Sequence, residues 1–167
     1  ASIAGKLANG LQYYILERSQ PAESVELRLV IRAGSVNEQE NERGISHFLE
    51  HMVFNGTRLY PEHKLIDALE NMGVQFGTDL NAYTGFDETT YILPIPLNNP
   101  DNFAKSMGIL EQLAFNATLL PADIDQERSV IMEEWRTSGL SAAARPQQHN
   151  IKITTAGSRY AERLPSG

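Results

Sequence analysis

Apolar and polar positions alternate most regularly between Ser24 and Ala33. Val25, Leu27, Leu29 and Ile31 fall on one side, and Glu26, Arg28 and Arg32 on the other. That two-residue period predicts a half-buried strand. An earlier strand is expected near Leu11 to Glu17, after a turn at Asn9-Gly10. Gly34 to Arg43 is polar and reads as a connection to a helix from about Gly44 to Phe54. Pro61 suits the first turn of a second helix, in which Leu65, Ile66, Leu69 and Met72 form a stripe that Gly73 ends. Val74 to Thr84 and Glu88 to Ile95 predict two strands around Gly85-Phe86-Asp87, with Pro94 and Pro96 placing the end of the second at a sheet edge. Asn99-Pro100 opens a third helix carrying Phe103, Met107, Leu110 and Ala114, and Pro121 opens a fourth that runs to about Ser138. The pattern fades after Gly139, and Ser141 to Gln148 is expected to be irregular. Antiparallel strands with helices gathered on one face predict an α+β domain, taken as one unit over residues 1–167.

Composition narrows the function more than the fold. The 14 basic and 21 acidic residues give a net charge of −7. With no basic cluster, nucleic acid is not an expected partner. No apolar run approaches the roughly 18 residues that span a bilayer, so no membrane partner is expected. Ala1 to Gly10 has no apolar core of a signal peptide. Cysteine is absent, which removes thiol catalysis and cysteine-ligated metal.

The chemistry concentrates in His47-Phe48-Leu49-Glu50-His51. On a helix, His47, Glu50 and His51 share one narrow sector, and Ile45, Phe48, Leu49 and Met52 lie opposite. Two imidazoles one turn apart suit a tetrahedral zinc ion, and the carboxylate between them is placed to accept a proton from an activated water. The order His-x-x-Glu-His is the inverse of the commoner zinc peptidase motif. The same residues would also fit a solvated polar face, but the fourth helix argues against that. There Ile124, Glu127, Ile131 and Glu134 share a stripe whose isoleucines face inward, and inward carboxylates are costly unless a positive charge meets them. The stripe alone leaves open which of Glu127 and Glu134 would ligate a metal and which would orient a neighbour. Glu133 points away and reads as a solvated helix residue.

These segments resemble the pitrilysin/insulinase family of zinc peptidases, which includes the mitochondrial processing peptidases. The resemblance begins at Leu7-Ala8-Asn9-Gly10-Leu11. It is carried most specifically by Gly44-Ile45-Ser46-His47-Phe48-Leu49-Glu50-His51-Met52, followed by Phe54 and Gly56-Thr57, and it continues in Asn81-Ala82-Tyr83-Thr84 and in Glu127-Arg128 with Ile131 and Glu134. It implies a metallohydrolase fold of the LuxS and processing-peptidase type, with Zn²⁺ held by His47, His51 and Glu134. Glu50 would then be the catalytic base and Glu127 a supporting acid. Asn81 and Ala82 would lie on an edge strand that pairs with a peptide or small protein substrate. The interval from His51 to Glu134 is several residues longer than the family shows, with the excess expected in loops at Phe76 to Asp79 and Pro94 to Asn99. The resemblance also implies a longer parent chain whose C-terminal remainder completes the site. It points to a PqqL-like bacterial branch and a periplasmic location. A non-catalytic partner subunit of the same family is the alternative, but such members usually lose part of the His-x-x-Glu-His set, which is whole here.

Overall fold

A computed structural model describes residues 2–20, 23–75, 77 and 81–165. The N-terminal hairpin joins β1 (Ser2–Lys6) to β2 (Gln12–Leu16) in antiparallel register, with Lys6 opposite Gln12. Gly10 turns the chain at a φ of 92°, which favours a residue without a Cβ. The sequence pattern predicted β2 but not β1, whose only large apolar side chain is Ile3.

The second sheet has the order β3-β5-β4, all antiparallel, from β3 (Ser24–Ile31), β4 (Asn81–Thr84) and β5 (Thr89–Pro96). Strand β5 is therefore central over its first half, and its proline end is one-sided, as the sequence predicts. Its prolines are tolerated because β4 pairs only Thr89 to Ile92, so Pro94 and Pro96 have β3 alone beside them. Of the strand expected from Val74 to Thr84, Asn81–Thr84 forms β4, and residues 76 and 78–80 lie outside the described residues. Val74 instead drops into the core behind Gly73, which turns at a φ of 93°. Of the loop expected at Phe76 to Asp79, residues 76, 78 and 79 lie outside the described residues. The loop expected at Pro94 to Asn99 begins only after Pro96.

One face of this sheet carries Tyr91, Leu93 and Ile95, all 1% exposed or less. Val53 and Phe54 of α1 (Ile45–Asn55), Leu65 and Leu69 of α2 (Lys64–Asn71), and Ile109 and Leu113 of α3 (Asp101–Phe115) pack on it as one cluster. The α+β architecture expected from the pattern is thus present. Pro61 stands before α2 rather than in its first turn, with its carbonyl accepting from Lys64 N–H at 3.2 Å.

Helix α3 presents a different face from the one its apolar residues suggest. Phe103 and Met107 are about half exposed, whereas Asn102, Ser106 and Gln112 are buried. Asn102 donates to the Pro96 carbonyl at 2.9 Å, and Gln112 accepts from Leu59 N–H at 3.1 Å. Buried polar side chains with such partners carry little penalty. Helix α4 (Pro121–Glu134) starts on its proline and continues into one π-helical turn, Trp135–Gly139. Past it, the passage expected to be irregular forms α5 (Ala144–Thr154). Pro146 falls in the first turn, where a helix has no use for its missing N–H, and the Ser141 hydroxyl accepts from Ala144 N–H at 3.1 Å. Among the described residues, no helix is long and apolar enough to cross a membrane.

Candidate metal centre

Helix α1 starts at Gly44, whose φ of 84° no ordinary side chain adopts cheaply. Its first amides are capped from outside the helix by the buried Glu38. The two carboxylate oxygens of Glu38 accept from Gly44 N–H and Ser46 N–H, each at 2.8 Å. A negative charge at a helix N-terminus is favourable. The Glu38 backbone is held in turn, because its carbonyl accepts from Arg163 Nε at 3.1 Å and from Arg159. Further along α1, the buried Met52, Val53 and Phe54 anchor the helix and leave His47, Glu50 and His51 on the side facing α4 and β4.

Three side chains converge there. His47 Nε2 lies 3.2 Å from His51 Nε2 and 3.5 Å from Glu134 Oε1, and His51 Nε2 lies 3.3 Å from Glu134 Oε2. The rings stand edge to face at 86°, and the ligand-type atoms of the three residues lie within 4.8 Å of one another. The second nitrogen of His51, Nδ1, is 2.9 Å from Glu127 Oε1, which accepts its proton. Neutral His51 therefore presents a lone pair on Nε2, aimed at the oxygens of Glu134.

This set fits a metal ion better than it fits itself. With His51 neutral and its proton on Nδ1, at most one of the three close contacts can be a hydrogen bond, donated by His47 Nε2 to either His51 Nε2 or Glu134. In that tautomer the contact between His51 Nε2 and Glu134 sets lone pair against lone pair. Tetrahedral zinc with ligand bonds of about 2.0–2.1 Å separates its ligand atoms by about 3.3–3.4 Å. The observed separations are 3.2 Å between the imidazole nitrogens and 3.5 and 3.3 Å from them to the two different oxygens of Glu134, short enough for one ion to be reached by all three residues.

The two inward carboxylates of α4 are now distinct. Glu134 keeps 44% of its side chain exposed and meets only the imidazoles. Glu127 keeps 10%, and both its oxygens are engaged, one by His51 and the other by Asn55 Nδ2 at 2.6 Å. Glu133 points outward, 65% exposed and 3.6 Å from Arg136.

Glu50 is only 8% exposed, and its Oε2 accepts from the Thr84 hydroxyl at 2.6 Å. Burial, and then the charge of Glu50, raise the pKa of the Tyr91 phenol, which therefore stays neutral beside that carboxylate. Asn81 and Ala82 lie three and two residues before Thr84 on the outer strand β4; Asn81 is exposed and Ala82 packs towards the core. A small cavity of about 50 Å³ opens beside His47 and Glu134, walled by Ile131, Trp135, Ser138 and Gly139. A Cβ on Gly139 would come within 2.9 Å of the Trp135 ring, so the glycine leaves room for the indole.

Glu38, Asn55 and Thr84 were not singled out from the sequence as separate contributors. Thr84 sat inside a recognised block. Asn55 follows His51 by one helical turn, a spacing that could have flagged it. Glu38 carries no local signal.

Comparison with known proteins follows the same geometry. Residues 13–162 match the family model described as insulinase (peptidase family M16). The chain is 45% identical over 163 residues to the probable zinc protease PqqL of Haemophilus influenzae and 41% identical over 165 residues to that of Escherichia coli. These alignments cover 98% and 99% of this chain but only 18% of each relative. It superposes on the first half of the periplasmic protease PqqL from E. coli with a TM-score of 0.95 at 41% identity, covering 99% of this chain and 35% of that one. The ferredoxin protease FusC in complex with Arabidopsis ferredoxin matches with a TM-score of 0.89 at 34% identity, covering all of this chain and 18% of that one. The chain thus spans about a fifth of the length of the curated relatives it matches, and it belongs to the insulinase family of peptidases, M16.

Proposed function

We propose that this domain is the zinc-binding part of a periplasmic metalloendopeptidase that hydrolyses peptides or small proteins, acting together with the remainder of a longer chain. The observation that carries this reading is the convergence of His47, His51 and Glu134 within 4.8 Å of one another, beside the buried carboxylate of Glu50 on the same helix as the histidines. His47 and His51 would bind zinc through Nε2, and Glu134 through its carboxylate. When bound, zinc supplies Lewis acidity that polarises a carbonyl and makes water nucleophilic at neutral pH.

The protein's own groups account for the proton traffic. Thr84 occupies Glu50 Oε2, which leaves Oε1 to take a proton from the attacking water and deliver it to the departing amine nitrogen. Glu127 holds His51 in the tautomer that leaves Nε2 free to ligate. The outer strand β4 offers Asn81 and Ala82 to an extended substrate, whose backbone would add to the sheet edge. The periplasmic assignment rests on the similarity to E. coli PqqL, and the choice of a peptide or small protein substrate draws support from the FusC–ferredoxin complex. The complete His-x-x-Glu-His set favours an enzyme over a non-catalytic partner subunit.

The test is peptide hydrolysis by the full-length protein, with and without a chelator. Activity that chelation removes and zinc restores is expected. Chelator-resistant hydrolysis, or none under any metal condition, would overturn the proposal.

A further inference from the structure

Asn55 is the last residue of α1, one turn beyond His51, so His47, His51 and Asn55 follow one another along a single face. Its amide nitrogen donates to Glu127 Oε2 at 2.6 Å and lies 3.8 Å from the sulfur of Met52. Glu127 Oε1 meanwhile accepts from His51 Nδ1 at 2.9 Å. One carboxylate on α4 is thus gripped twice from α1, once through each oxygen.

A carboxylate held through one oxygen can still rotate about its terminal torsion, which is broad and two-fold. A second donor on the other oxygen fixes the carboxylate plane and keeps Oε1 aimed at the imidazole. Glu127 is almost buried, so water does little to replace a lost partner there, and a group left unpaired is costly. The route from Asn55 to the ligand atoms is therefore short: amide to Glu127, Glu127 to His51 Nδ1, and His51 Nε2 to the converging set.

We propose that Asn55 is a positioning residue for the metal centre, which orients His51 by clamping the carboxylate of Glu127. This rests on the zinc reading above, and it extends the motif along α1 to His-x-x-Glu-His-x-x-x-Asn. Asn55 is not one of the three converging ligand residues, and its effect on them runs through Glu127.

The experiment measures zinc affinity and the His51 Nδ1–H proton resonance in the chain and its variants, with zinc and without. Asn55→Ala should weaken zinc binding by about 10-fold, the lower end of what outer partners of metal ligands contribute. Asn55→Asp keeps the shape but sets an acceptor against Glu127, and it should weaken binding more than Asn55→Ala does. In a Glu127→Gln background, Asn55→Ala should cost nothing further, because the path it acts through is already cut. The His51 resonance should shift or broaden in both Asn55 variants without metal. Unchanged affinity and resonance in Asn55→Asp, or additive losses in the double variant, would overturn the proposal. If the parent chain bound no zinc, the zinc reading would fail, and the metal-free His51 resonance would still decide whether Asn55 orients the ring.

Discussion

Glu127 and Glu134 stand seven residues apart on one stripe of α4, yet the fold treats them in opposite ways. Glu127 is nearly buried with a protein donor on each oxygen, His51 on one and Asn55 on the other. Glu134 sits at the end of the helix, 44% exposed, and its two oxygens face the imidazole nitrogens of His47 and His51. A carboxylate's role is therefore read from its partners, not from its spacing. The fully partnered acid suits holding a neighbour in place, and the one beside two imidazoles suits the proposed role of metal ligand. Glu50 makes a third case, buried and with one oxygen fixed by Thr84.

Breaking these roles one at a time should give effects of decreasing size. Glu50→Gln in the full-length enzyme should lower peptide hydrolysis by about 10²–10⁴-fold, the usual worth of a positioned general base, while retaining zinc. Lost metal, or near-full activity measured alongside metal content, would show that the role belongs elsewhere. Glu134→Gln replaces an anionic ligand with a neutral amide, and its loss of zinc affinity should exceed anything seen on removing an outer partner. Glu127→Gln should cost about 10–100-fold in the same calorimetric titration. If Glu127→Gln proved the more damaging, the two acids would have exchanged roles. The smallest effect is expected at the support of α1. Glu38→Gln weakens the cap on the first amides and should destabilise the chain by about 1 kcal/mol. For a chain of this size that is a fall of roughly 2–4 °C in thermal midpoint, readable by calorimetry.

Much of this centre was legible in the sequence because helical periodicity is local. His47, Glu50 and His51 declare a shared face within five residues, and Ile124 and Ile131 declare the inward stripe of α4. The assignment of Glu134 over Glu127 was not local and came only from family resemblance. Glu38 caps α1 across a polar loop, in a position that no fixed spacing defines. The fold was misread where one rule was applied to a whole element. In α3 the apolar residues suggested one buried face, while Asn102, Ser106 and Gln112 occupy another, all three bonding backbone groups. The alanine run and Pro146 disguised α5, since a proline in a first turn and a proline that breaks a helix look the same until the start is known.

The central claim is that His47, His51 and Glu134 hold one zinc ion while Glu127 stays outside the ligand set. Anomalous diffraction at the zinc edge from crystals of the zinc-loaded chain tests it most directly. One peak is expected at about 2.0–2.2 Å from His47 Nε2, His51 Nε2 and a Glu134 oxygen, with Glu127 still bonded to His51 Nδ1. A peak bonded to Glu127, or none at this site in zinc-saturated crystals, would contradict it.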